Sequence, residues 1–176
     1  MCARTERCCM NDSDAVQQLR AELEQDLAFI GVNHAKNREM TRRIDETSSD
    51  DEYDFAALGY TIHNVYNSFE SYFLRIAKFF ENNLDEHEWH KSLVRRMTLA
   101  IKGVRPALFD VEFAVRVEEL MRFRHLFRNL YKTPLIPEKV RFANEYTAAI
   151  LDDFRAYHDR FDAFLVQLSD ELERTK

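Results

Sequence analysis

A chain of 176 residues is long enough for one domain with a sizeable core. Hydrophobic residues make up 45% and charged residues 32%, with only 3 glycines and 3 prolines. So few backbone breaks exclude a sandwich of short strands, a Gly-rich phosphate cradle and a disordered chain, and leave an all-α bundle of long helices. Lys and Arg number 25 against 31 Asp and Glu, a net charge of −6, so a nucleic-acid contact needs a local basic patch rather than a basic surface.

The first ten residues, MCARTERCCM, lack the apolar run of a signal peptide. They hold all 3 cysteines, Cys2, Cys8 and Cys9, which excludes a disulfide framework spread through a fold and any zinc spacing. Residues 1–12 read as a disordered N-terminal extension, with Met10 an alternative start and residues 1–9 then not native; residues 13–176 read as a single helical domain. No window of 18 apolar residues occurs, so no membrane span is expected and a reduced, cytoplasmic protein is.

Periodicity and stop signals predict an up-down bundle of about five helices. The first runs from Asp14 to Ile44 on Val16, Leu19, Leu23, Leu27 and Ile30. Its second half, Asn33 to Arg43, is polar and is expected to project beyond the core or fray. Asp45 to Glu52 (DETSSDDE) is an acidic link with capping residues for the next helix. The second helix, Tyr53 to Asn82, carries the strongest stripe: Phe55, Leu58, Ile62, Tyr66, Phe69, Phe73, Ile76 and Phe80. The third, Asp85 to Lys102, places Trp89, Leu93, Met97 and Ile101 on one face, Trp89 as its core anchor, and stops at Gly103 and Pro106. The fourth, Asp110 to Lys132, ends before Thr133-Pro134. Pro137 opens the fifth, which is expected to continue to Arg174.

The fourth helix breaks the pattern. At about 100° per residue, Phe113, Val117, Leu120, Arg124 and Tyr131 share one line, with Arg128 about 40° further round. A guanidinium on a core-facing line is costly unless it is paired or lines a solvated cleft. Arg116, Arg122, Arg124, Arg128 and Lys132 on this helix form the local basic patch that an anionic ligand requires. The competing reading is structural: Arg124 pairs with a buried carboxylate such as Glu70 on the second helix.

The stretch Phe123-Arg124-His125-Leu126-Phe127-Arg128-Asn129-Leu130-Tyr131 resembles the R-x4-H-x-Y signature of the HepT-like toxins of the HEPN superfamily. Arg124 matches the arginine, His125 the polar follower and Tyr131 the tyrosine. Ile62-His63-Asn64-Val65-Tyr66 with Glu70, Glu88-Trp89-His90 and Arg105-Pro106 resemble patterns of one branch of that family, so the resemblance covers about residues 53 to 131. It implies an all-helical homodimer and a metal-independent endoribonuclease without a cofactor. The implied activity is that of the toxin of a toxin–antitoxin pair, cutting RNA in a dimer cleft. The implied partner is a minimal nucleotidyltransferase antitoxin, which in such systems neutralises the toxin by attaching AMP to the motif tyrosine, here Tyr131. Carried over by position, Arg124 stabilises charge developing on the scissile phosphate, with Arg128, His63 and Glu70 as further binding residues.

Asn129 stands where the family has histidine. An amide hydrogen-bonds a phosphate or a 2′-OH, but it does not accept and return a proton near neutral pH. His125 and His63 are the residues available for that role. The alternative is a HEPN module that binds a partner or RNA without cutting. His34 and His158 are expected to be solvated or hydrogen-bonded, and no metal site is expected at His87 and His90.

Overall fold

A computed structural model describes residues 12–81, 89–129 and 135–174, except for the side chains of residues 89–91. The described residues form α1 (Asp12–Thr47), α2 (Glu52–Phe80), α3 (Trp89–Met97), α4 (Val111–Phe127), α5 (Pro137–Glu145) and α6 (Ile150–Arg174), with no strands among them. The all-α bundle predicted from periodicity is the one observed.

α2 is the spine of the bundle. It lies against α1, α3, α4 and α5, while α6 lies against α1. The expected stripe of α2 is buried from Phe55 through Ile76. Asp51 caps this helix, its carboxylate accepting from the Tyr53 amide at 2.8 Å, as the acidic link foretold. The axes of α2 and α6 are held apart by an aromatic layer. The Phe154 ring stands edge-on to Phe69 at 4.9 Å and to Tyr72 at 5.0 Å, and stacks on Phe113 of α4 at 5.7 Å. Such pairs add directional contact to the burial of large apolar surfaces.

Four boundary expectations are corrected. α4 ends at Phe127, capped by Arg128, rather than running to Lys132. The polar half of α1 neither projects nor frays: the helix continues to Thr47 with His34 and Asn37 buried. Asn37 donates to Thr61 Oγ1 at 3.0 Å and Asn144 Oδ1 at 2.8 Å, and accepts from Thr147 Oγ1 at 2.9 Å. Polar side chains are stable inside when their partners are fixed opposite them. The expected long fifth helix is two helices, α5 and α6, separated by a turn through Ala149 at φ 53. Thr147 in that turn bonds the carbonyl of Asn144 and the side chain of Asn37, a local competitor to the helical ladder.

α3 ends at Met97 rather than Lys102, because residues 101–105 close a tight loop through an isolated bridge between Ile101 and Arg105. The buried Arg105 guanidinium clamps this loop, donating to Glu81 Oε1 at 2.8 Å and to the carbonyls of Arg96, Leu99 and Pro106. Arg105 is therefore a structural residue. Leu93 and Met97 are buried as expected; the Trp89 side chain, His87 and His90 lie outside the described residues.

Candidate functional site

The seam between α2 and α4 is closed at one end by a glycine. A Cβ at Gly59 would stand 2.5 Å from Cε2 of Phe127, so the absent side chain is what lets the end of α4 come down on α2. Phe127 then covers His63, one turn further along α2, with ring centroids 6.0 Å apart. One turn back on α4, Arg124 lies opposite Tyr66, Asn67 and Glu70.

Arg124 donates from Nε to Asn67 Oδ1 at 2.8 Å and pairs through Nη2 with Glu70 Oε2 at 3.2 Å. Its Cζ sits over the Tyr66 ring, 5.4 Å from the centroid. The Tyr66 hydroxyl in turn donates to Glu70 Oε1 at 3.2 Å, and burial first, then the Glu70 charge, pushes its pKa upward. The structural reading of Arg124 is thus realised in its pairing with Glu70. Yet Nη1 has no protein acceptor among the described residues and is not one of the buried unpaired atoms, and the side chain keeps 12% of its surface exposed. Among the described residues, the cation is anchored on one side and open on the other.

The bonds of Asn67 determine the state of His63. A guanidinium Nε–H can only donate, so the amide oxygen of Asn67 faces Arg124 and its NH2 faces His63 Nε2 at 2.8 Å. His63 Nε2 is therefore the acceptor, and the neutral ring carries its proton on Nδ1. That Nδ1 is buried without a partner among the described residues. Burial, then the positive charges of Arg124 and Arg128, lower the pKa of His63 from 6.5. The result is a neutral imidazole whose basic nitrogen faces an amide rather than a carboxylate, beside a guanidinium.

Other predicted residues are placed elsewhere. His125 is exposed, and its side chain makes no hydrogen bond or ring contact among the described residues. Asn129 turns back on its own helix, Nδ2 donating to the carbonyl of His125 at 2.8 Å; it finishes α4 rather than joining Arg124. Tyr131 and Lys132 lie outside the described residues. The basic patch is largely neutralised. Arg116 binds Asp153 at 2.5 Å, and Arg122 binds Glu118 and Glu119. Arg128 is exposed without an acidic partner among the described residues. Among those residues there is no cluster that could hold a metal ion, and no helix long and apolar enough to cross a membrane. The expected His34 and His158 bonds are present: His34 Nε2 to the Thr147 carbonyl at 2.9 Å, and His158 between the Tyr72 hydroxyl at 2.8 Å and Glu24 at 3.0 Å.

Sequence reasoning missed Asn67 and Gly59. Asn67 is one turn from His63 and three residues before Glu70, a spacing that places all three on the face turned to α4. No motif marks it. A family model described as HepT-like protein matches residues 57–165, well over half of the chain, and so takes in the whole α2–α4 seam. No curated protein and no solved structure matches the chain.

Proposed function

The chain belongs to the HepT-like family of the HEPN superfamily, and on that premise we propose that it is a toxin-type endoribonuclease whose centre is the Arg124–Asn67–His63 cluster. The observation that carries this reading is the pairing of a partly exposed guanidinium with a neutral, unprotonated histidine nitrogen through a single amide. RNA supplies its own nucleophile. Attack of a 2′-OH on the adjacent phosphorus breaks the bond to the 5′-oxygen, so the reaction needs an acceptor for the 2′ proton, a cation at the phosphorane, and a proton for the leaving oxygen. His63 Nε2 accepts the first once Asn67 Nδ2 gives up its hydrogen bond to it, Arg124 Nη1 meets the charge, and water protonates the leaving oxygen, the hydroxide so formed taking the proton back from His63. His63 thereby takes the place that Asn129 leaves vacant, in preference to the exposed His125. Glu70 holds the guanidinium, and Arg128 adds a second cation for the phosphate backbone.

The cut is made without a metal or cofactor, in a cleft between two copies of the chain, and a nucleotidyltransferase antitoxin silences it by attaching AMP to Tyr131. In favour of a homodimer are exposed apolar side chains at the two ends of α4, Val111 and Val115 at one and Leu126, beside Phe142 of α5, at the other; exposed apolar surface of this kind is found at association surfaces.

Purified protein incubated with total RNA in EDTA tests the proposal. Arg124→Ala is expected to lose about 10²- to 10³-fold in cleavage rate, and His63→Ala about 10²-fold or more. Equal, background-level cleavage by wild type and both variants sinks the enzymatic reading. A second reading is a module that binds RNA or a partner without cutting, and it is favoured by Asn129 folding onto its own helix end. Under it, wild type binds RNA but does not cut.

A further inference from the structure

The outer ridge of α2 continues from the Arg124 cluster into side chains that have no partner among the described residues. Tyr60, Asn64 and Asn67 are spaced i, i+4 and i+7, which puts them within about 60° of one another around the helix. Tyr60 is 60% exposed and makes no hydrogen bond or ring contact among the described residues. Asn64 is half-buried; its backbone carbonyl accepts from Ser68 at 2.8 Å, but its side-chain amide has no partner among the described residues. Asn67 is the residue already bound to Arg124 and His63. Among the described residues the ridge therefore runs from an uncontacted aromatic plane, past an unpaired donor–acceptor amide, to a guanidinium edge, in about 10 Å.

We infer that Tyr60 and Asn64 form a nucleotide subsite that takes one unpaired base beside the phosphate held by Arg124. The inference rests on the ribonuclease reading and names its substrate class as single-stranded RNA. An exposed ring offers a stacking face to any base, but only a base whose own face is not covered by a duplex neighbour can use it. The Asn64 amide, with one acceptor and two donors, matches the mixed edge of a base or a ribose hydroxyl. Arg128, exposed and without an acidic partner among the described residues, lies close enough to His63 to act on it electrostatically and stands ready for a flanking phosphate. Base, ribose and phosphate thus each meet the chemistry that recognises them.

Anisotropy titrations with a fluorescent 2′-O-methyl RNA ten-mer, which cannot be cut, and with its duplex test the subsite in the full chain. Wild type is expected to bind the single strand more tightly than the duplex. Tyr60→Ala is expected to weaken single-strand binding about 5- to 150-fold, the worth of one base stack, whereas Tyr60→Phe keeps the affinity within about 2-fold. Asn64→Ala is expected to lose about 5-fold. Unchanged affinity in Tyr60→Ala, or equal binding of single strand and duplex, overturns the subsite. So does a fall in sedimenting mass in Tyr60→Ala, which assigns the ring to contact with a second copy of the chain. If wild type cuts total RNA and Tyr60→Ala binds normally, the subsite fails while the ribonuclease reading stands. If wild type neither cuts nor binds RNA, both fall.

Discussion

α2 carries a histidine network on each flank, and they are finished differently. Toward α6, the Glu24 carboxylate accepts from His158 Nε2, which leaves Nδ1 to accept from the Tyr72 hydroxyl. Both ring nitrogens and the hydroxyl are used, and the whole sits against Phe154. Toward α4, the Arg124–Asn67–His63 chain ends on a buried Nδ1 and begins on a guanidinium nitrogen, neither of which has a partner among the described residues. A buried polar group without a partner costs stability; among the described residues Arg105 Nε carries the same cost inside its structural clamp, so what sets the α4 flank apart is the exposed guanidinium edge beside the unpartnered ring. The satisfied network is architecture, and the unfinished one is where a ligand has something to complete.

Four measurements break or sharpen that contrast. The largest effect belongs to the architectural flank. Phe154→Ala removes the ring shared by α2, α4 and α6, and urea unfolding is expected to show a loss of about 3–5 kcal/mol. Next, Tyr72→Phe leaves His158 Nδ1 unpaired at a cost of about 1–3 kcal/mol in the same assay. It is expected to leave RNA cleavage at the wild-type rate; a fall in cleavage there means the two flanks are not functionally separate.

On the α4 flank the order of effects reverses. Gly59→Ala drives Phe127 off His63, but the better helix propensity of alanine offsets up to about 1 kcal/mol of the clash. The net change in stability is expected to stay below about 2 kcal/mol. The His63 ring resonances in an NMR spectrum are expected to move and cleavage to fall. Unmoved resonances dismiss the lid role of Phe127.

The smallest effect is a pH slope. His63 has its pKa lowered by burial and by Arg124 and Arg128, so the unfolded chain takes up the proton more readily. The contribution of this group is complete above about pH 6.5 and is lost as the pH falls below it toward the folded-state value. Stability measured from pH 7.5 to 5 is expected to fall less steeply in His63→Gln than in wild type. Identical slopes dismiss a neutral, constrained His63.

Much of the fold could be read from residue spacing. The α2 stripe and the cap supplied by the acidic link before it are local features, and residue spacing reports them directly. The break between α5 and α6 could not be read in that way. Thr147 leaves the helix to bond Asn37, which is 110 residues away. The polar half of α1 misled for the same reason, since its partners come from α2 and α5. At the site, Arg124 and Glu70 were legible because a charge on an apolar line demands a partner. Asn67 was not, since a polar residue on a helix flank is ordinary until something is seen opposite it.

From its own order of residues the chain determined the helices, their buried faces and the family signature around Arg124, because each depends on neighbours within a turn or two. Which nitrogen of His63 carries the proton, which edge of Arg124 stays open and which basic side chains are already neutralised were decided only by the packed bundle. Those are properties of pairs brought together across a seam, and it is Gly59, by admitting Phe127, that determines how closely the seam shuts.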